Sequence, residues 1–326
     1  MFSKNHIESI FQINSTDKFN ELSLEIFRYQ AENCEPYKRY LSHIGCNVNG
    51  VKSVKEIPFL PIEFFKSERI ICTQQEEITF LSSGTTGSVQ SKHLVSDVKV
   101  YEQSYLKGFE HFYGSIKDYV VLALLPAYAE RKGSSLIYMV DDLIRKSENA
   151  ASGYYLYNHE ELHQKLEVLK NEKVLLIGVS FALLDFVEKH QVNLPNLIVM
   201  ETGGMKGRRE ELTRDELHIE LTKGFGVEKI HSEYGMTELL SQAYSRGNGI
   251  FETSNWMKIL IRDVNDPFYY LPENKSGGIN IIDLANVNSC SFLATQDLGR
   301  IKPSGNFQVI GRYDNSDVRG CNLLVL

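Results

Sequence analysis

The chain has 326 residues, of which 42% are hydrophobic and 24% charged, and its formal net charge is −7. That length admits two domains or one large domain with subdomains, and it buries a sizeable core without disulfides. The acidic balance, with no long basic run, excludes nucleic acid as an expected partner. No apolar stretch reaches the roughly 20 residues that span a bilayer.

The N-terminal residues Met1 to His6 lack the apolar core of a secretion signal. Apolar residues then recur at helical spacing from Ile7 to Phe11 and from Phe19 to Tyr29. Pro58 and Pro61 break any helix in Ile57–Pro61, and Phe64 and Phe65 follow. These aromatics read as a packed helical cap. Phe80-Leu81 reads as a strand end, and Val120 to Leu125, closed by Pro126, as a buried strand. Helices are expected over Ser134–Arg145 and over Glu160–Leu169, the second with Asn158 as N-cap. Val174 to Ile177 is a second buried strand, Phe181 to His190 a helix, and Leu197 to Met200 a third strand. Arg208 to Lys223 reads as a helix ended by Gly224, and Val227 to Ile230 as strand-like.

Strand and helix alternate, and the strands are wholly apolar. The expected fold is therefore α/β, a mostly parallel sheet covered by helices on both faces. After Phe251 short β-like segments appear at Met257–Ile261, Ile279–Ile282 and Phe307–Ile310, separated by turn sequences. The expected division is 1–75 as an N-terminal helical cap, 76–250 as an α/β core binding nucleotide and substrate, and 251–326 as a smaller β-rich subdomain. The five cysteines, Cys34, Cys46, Cys72, Cys290 and Cys321, are odd in number and scattered. Without a disulfide or metal spacing, they point to a reducing cytoplasm.

The loop Ser82-Ser83-Gly84-Thr85-Thr86-Gly87 carries the strongest chemical signal. Its glycines let the backbone fold tightly enough for several N–H groups to face one anion, and its hydroxyls add donors. Lys92 stands just beyond as a counter-charge. The spacing is neither that of the P-loop, which needs a lysine after its last glycine, nor the dinucleotide fingerprint.

With these residues the chain resembles the adenylate-forming superfamily of acyl-CoA synthetases, luciferases and peptide-synthetase adenylation domains. In that family the loop has a lysine three residues after its last glycine; here the position is Gln90, with Lys92 two further on. Glu233-Tyr234-Gly235-Met236-Thr237-Glu238 resembles the family's Tyr-Gly-x-Thr-Glu motif. The resemblance implies that Thr237 contacts the α-phosphate and that Glu238 holds Mg²⁺. The chemistry is consistent: a carboxylate attacking an α-phosphate brings two anions together, and a cation and donors must neutralise them. Taken alone, the motif would equally fit a strand-turn-helix with acidic residues at the helix start. Glu201-Thr202-Gly203-Gly204-Met205, at a strand end, resembles the stretch whose backbone flanks the adenine. Asp297-Leu298-Gly299-Arg300 and Gly311-Arg312-Tyr313-Asp314 resemble the ribose-binding aspartate and the hinge motif; singly, each reads as a polar turn. The implied cofactors are ATP and Mg²⁺.

Family members continue with a small rotating domain after the hinge. This chain stops at Leu326, a few residues past Arg312, so that domain is expected to be absent. Cys321 near the end resembles the acyl-accepting cysteine of LuxE-type acyl-protein synthetases, and Leu124–Tyr128 and Gly133–Leu136 resemble that group's substrate region. The resemblance implies activation of a carboxylic acid, in that group a fatty acid, as acyl-AMP, then acyl transfer to a thiol. Cys321 would be the acceptor, with Arg319 nearby to lower the thiol pKa; a reductase, an acyl carrier protein or CoA would serve as a partner acceptor. Tyr128 and Ser134 are the expected pocket residues. Cys321 equally fits a small buried residue in a C-terminal strand.

Two other functions remain open at this point. One is nucleotide or acyl binding without turnover, or with a partner supplying the missing domain. The other is a serine hydrolase: Gly178-Val179-Ser180-Phe181-Ala182 nearly matches a nucleophile elbow, with Asp215 and His231 following in order. Against it, Ser180 reads more simply as a helix N-cap, and His231 as a histidine at a strand end.

Overall fold

Val120–Leu124 and Val174–Val179 are buried at every position, and an apolar run with no polar face must be covered on both sides. The computed structural model describes residues 4–83, 89–126, 132–203 and 212–312. In it these two strands lie side by side near one end of a large sheet. In spatial order the sheet runs Met257–Arg262, Gly277–Asp283, Phe292–Ile301, Phe307–Arg312, Phe251–Thr253, Ala243–Ser245, His231–Tyr234, Leu197–Thr202, Val174–Val179, Val120–Leu124 and Gly153–Tyr154. The short strand Leu60–Pro61 adds to it beside Phe292–Ile301.

The half from Gly153–Tyr154 to His231–Tyr234 is parallel. From His231–Tyr234 to Met257–Arg262 successive strands pair antiparallel, while the added strand Leu60–Pro61 pairs in parallel with Phe292–Ile301. The strands after residue 251 thus continue the same sheet that carries the α/β core. A separate hairpin, Ile78–Leu81 with Lys92–Val95, holds the sequence of the expected phosphate loop.

Several helices start where a side chain can take up free N–H groups. Asp97 caps Val98–Tyr113, a helix that the sequence reading did not identify, and Ser134 caps Ser135–Lys146. Asn158 accepts from the Glu161 amide at the head of His159–Val168, as expected. Of the helix expected over Arg208–Lys223, residues 208–211 lie outside the described residues; the described helix is Arg214–Phe225, opened by a capping box between Thr213 and Glu216 and ended by left-handed Gly226. Gly224 therefore lies inside the helix instead of ending it. The reason is packing: a Cβ there would sit 2.3 Å from Val187 Cβ, so only glycine lets the two helices meet. The strand expected over Val227–Ile230 is displaced to His231–Tyr234.

The N-terminal helices Lys4–Ile10, Thr16–Asn33 and Glu35–His43 cover the antiparallel end. Phe27, Tyr37 and Phe59 each pack a ring against Phe292. Buried Gln30 donates to the carbonyls of Asn286 and Val287 and accepts from the Ser291 amide, tying the cap to the loop at 286–291. At this junction the Cys72 thiol donates to the Ser289 carbonyl at 3.2 Å. Among the described residues no helix is long and apolar enough to cross a membrane.

Candidate functional site

Ligands of open α/β sheets bind beyond the carboxyl ends of parallel strands. Two of the sequence motifs end up there side by side. Leu197–Thr202 leads into Gly203, and His231–Tyr234 leads into Gly235. Thr202 and Glu233 are cross-strand neighbours, and the Thr202 hydroxyl donates to Glu233 Oε2 over 2.5 Å. Glu233 is buried, and burial pushes its carboxyl up to about 7 against the pull of the Thr202 bond, with Glu201 adding repulsion. A Cβ on Gly235 would lie 2.3 Å from Glu233 Oε1, so the glycine makes room for that carboxyl.

His231–Tyr234 is also the strand at which parallel pairing gives way to antiparallel pairing. The chain therefore turns back within a few residues, and Thr237 and Glu238 lie in that turn. No helix follows, contrary to the strand-turn-helix alternative; the next element is the strand Ala243–Ser245. The turn is clamped from beneath. Asp283 accepts from the amides of Leu240 and Ser241 at 2.9 Å each and from the Ser241 hydroxyl at 2.6 Å. Asn286 donates to the Glu238 carbonyl at 2.8 Å and accepts from the Leu240 amide at 3.0 Å. Buried Asp283, although held by these donors, is pushed up to about 6 by desolvation.

Asp297 and Arg312 do not form the polar turns that each motif suggested alone. They face each other as register partners in the antiparallel strands Phe292–Ile301 and Phe307–Arg312. The Tyr234 hydroxyl donates to Asp297 Oδ2 at 2.7 Å, which joins the two motifs to the strand at the switch point. Burial raises the Asp297 carboxyl, while the Tyr234 bond and the charges of Arg312 and Arg262 oppose the rise. Glu238 is buried and raised for the same reason; the Ser91 hydroxyl and Arg312 pull it down, and Asp297 pushes it up. Tyr234, Glu238, Asp297 and Arg312 thus share one electrostatic neighbourhood.

The hairpin that carries the expected phosphate loop lies against this group. Ser82 and Ser91 pair by backbone at 3.1 Å, and the Ser82 hydroxyl accepts from the Ser91 amide at 2.9 Å. Gln90 donates its side-chain amide to the Ser82 carbonyl at 2.6 Å, so the residue in the lysine position braces the loop's neck. Ser83 is exposed, and Gly84, Thr85, Thr86 and Gly87 lie outside the described residues. Ser91 and His93 are buried on the face toward Thr237 and Glu238, whereas Lys92 is exposed on the opposite side of its strand. Ser134 accepts from the Ile137 amide as a helix cap, and the adjacent Gly133 carbonyl accepts from Leu81. Tyr128, Gly204, Met205, Arg319 and Cys321 also lie outside the described residues.

Ser180 is not an N-cap. It is the first helical residue, and its buried hydroxyl donates to the Gly203 carbonyl at 2.7 Å, which fixes the strand end beside Thr202. His231 Nδ1 lies 3.1 Å from the Tyr113 hydroxyl, and burial lowers that imidazole to about 4. Ser91, His93, Asp283 and Asn286 were not singled out from sequence. A buried-exposed-buried alternation just past the loop was the available signal for the first two; for Asp283 and Asn286 there was only an acid and an amide after an apolar strand.

No protein-family model matches the chain, and no curated protein matches it by sequence. Solved structures do match. MatB from Rhodopseudomonas palustris with ATP bound has a TM-score of 0.55 at 17% identity, over 74% of this chain and 49% of that one. 2-Hydroxyisobutyryl-CoA ligase with 2-HIB-AMP and CoA has a TM-score of 0.66 at 13% identity in an open conformation, covering 92% and 75%. The luciferase-like enzyme of the mealworm Zophobas morio has a TM-score of 0.50 at 16% identity, covering 77% and 60%. At these identities the likeness is one of fold: a large sheet covered by helices, as in adenylate-forming enzymes. The chain spans about half the length of MatB.

Proposed function

We propose that this chain is an adenylate-forming, ATP-dependent enzyme that activates a carboxylic acid and passes the acyl group to a thiol. The observation that carries the reading is the convergence of Tyr234, Glu238, Asp297 and Arg312, from three separate motifs, beside the neck of a Ser/Thr/Gly loop. The likeness of fold to ligases solved with ATP or an acyl-AMP supports it.

On this reading the backbone of Gly203, Gly204 and Met205 flanks the adenine, with Glu233, Tyr234, Gly235 and Met236 beneath it. Asp297 accepts from the ribose hydroxyls and Arg312 adds a donor. Ser82 to Gly87 face the phosphates, and Thr237 meets the α-phosphate. The substrate carboxylate attacks the α-phosphorus, the bond to the β-phosphate oxygen breaks, and acyl-AMP and pyrophosphate result. A thiolate then attacks the acyl carbon, and AMP leaves with the electron pair. Cys321, CoA or the thiol of a carrier or reductase is the acceptor, and Tyr128 and Ser134 lie toward the acid. Lys92 adds positive charge to the loop from the outer face of its strand.

Glu238 would hold Mg²⁺. Its carboxyl is buried near the Ser91 hydroxyl, in an environment that penalises its charge, which a cation would relieve. Among the described residues no group of three or more His, Cys, Asp or Glu side chains could hold a metal by itself. That fits an ion which takes one or two carboxylates and completes its shell with phosphate and water. Such an ion would offset the negative charge gathered at the α-phosphate.

Acid-dependent exchange of pyrophosphate into ATP, run over a panel of short, branched, aromatic and fatty acids, tests the reading. Exchange with at least one acid is expected, together with loss of about 100-fold or more in Glu238→Gln. No exchange with any acid and no ATP binding would overturn it. For the acceptor, ATP and labelled acid should yield a hydroxylamine-sensitive adduct absent from Cys321→Ser; an undiminished adduct in that variant moves the acceptor to another thiol.

A further inference from the structure

His93 belongs to neither the loop nor the motifs, yet it touches the site from within. It lies in the strand Lys92–Val95, its side chain is fully buried, and the edge-on ring of Phe65 packs against it at 5.4 Å. Its two nitrogens meet two different segments. Nδ1 is 2.8 Å from the Thr237 carbonyl oxygen, and Nε2 is 2.9 Å from the Ser289 hydroxyl. A carbonyl oxygen only accepts, so Nδ1 must carry the hydrogen. The neutral ring then leaves Nε2 bare, so the Ser289 hydroxyl turns its one hydrogen to Nε2 at 2.9 Å in preference to the Asn286 carbonyl, which lies farther off at 3.3 Å. Burial, which lowers the imidazole to about 4, keeps the ring in that neutral state.

The three segments joined in this way matter together. The strand of His93 follows the phosphate-loop sequence, Thr237 opens the turn that carries Glu238, and Ser289 belongs to the loop whose Asn286 holds the Glu238 carbonyl. Without His93 the Thr237 carbonyl would lose its donor in a half-buried setting, and the turn would be free to rotate that peptide.

We propose that His93, as its Nδ1–H tautomer, is a positioning residue that locks the Thr237 peptide to the hairpin of the phosphate loop, so that loop and turn are held as one unit. It acts through Thr237 and does not touch substrate. The inference rests on the adenylation reading for its catalytic consequence but not for its geometry, and the test separates the two. ¹⁵N-histidine NMR of the wild type near pH 7 is expected to place the proton on Nδ1 of His93. Hydrogen exchange at the amides of the 236–241 turn should quicken in His93→Leu and return most of the way in His93→Asn, whose amide restores a donor. In pyrophosphate exchange, His93→Leu should lose about 10- to 100-fold in kcat, the scale of a misplaced catalytic group, with a smaller change in KM for the acid. His93→Asn should recover most of that loss. An Nε2–H tautomer, an imidazolium, a turn that exchanges no faster in the leucine variant, or equal damage from leucine and asparagine would each overturn the proposal. If the wild type neither exchanges pyrophosphate with any acid nor binds ATP, the adenylation reading falls, and the tautomer and the amide exchange still decide the role of His93.

Discussion

Tyr234 donates its hydroxyl hydrogen to Asp297 Oδ2 over 2.7 Å, joining residues 63 positions apart. The half-buried phenol packs edge-on against the rings of Phe251 and Phe307, both centroids 5.8 Å away. The bond orients the half-buried carboxyl, and Arg312 stands opposite it across the strand pair. Tyr234→Phe is expected to release that carboxyl, weaken binding of a non-hydrolysable ATP analogue, and cost about 1 kcal/mol of stability. Calorimetric titration and urea unfolding measure both. Unchanged binding would place the nucleotide elsewhere.

Glu233 predicts a pH dependence. In the fold its carboxyl is raised from 4.5 to about 7, so ionisation is harder in the folded than in the unfolded chain. The cost is absent below about pH 4.5, accumulates between 4.5 and 7, and is complete above 7. Glu233→Gln removes the ionisation and should stabilise the protein at pH 8 by up to about 3 kcal/mol. The gain should vanish as the pH falls toward 4.5. Unfolding midpoints across that range decide it.

Asp283 holds the Thr237–Glu238 turn through the amides of Leu240 and Ser241 and the hydroxyl of Ser241, and it also accepts from the Ala285 amide. Asp283→Ala strands several buried donors at once, each costing about 1–3 kcal/mol when unmet. A loss of at least about 3 kcal/mol is expected in urea unfolding. Activity should fall more than stability accounts for when both are measured under conditions where the variant is folded.

Gly224 is a packing requirement. Gly224→Ala should cost about 1–3 kcal/mol by forcing its methyl into Val187. Adding Val187→Ala should recover part of the loss, since the new methyl then has space. Thermal unfolding of the single and double variants tests the coupling, and strictly additive losses would argue against direct contact.

Much of the fold was legible because it is written in period and punctuation. Val120–Leu124, Val174–Val179 and Leu197–Met200 are apolar runs too short for helices, and Asn158 marks a helix start by its own chemistry. The helix Val98–Tyr113 escaped notice because its buried face is built from Tyr, Ser and Gly as much as from aliphatic residues. Gly224 was misread because a glycine that ends a helix and one that lets two helices touch look alike until the partner is known.

The site divides in the same way. Residue chemistry and motif resemblance singled out the groups proposed to meet an anion, a metal or a ribose: the hydroxyls and glycines of Ser82 to Gly87, the acid Glu238, and the pair Asp297 and Arg312. Only the tertiary structure decided which of these are neighbours, because that depends on sheet register. One register sets Asp297 opposite Arg312, the change from parallel to antiparallel pairing turns Thr237 and Glu238 back on themselves, and strand alternation sends His93 inward and Lys92 outward. Register is a property of strands distant in sequence. For that reason His93, Asp283 and Asn286, which act by joining such strands, carried no local mark.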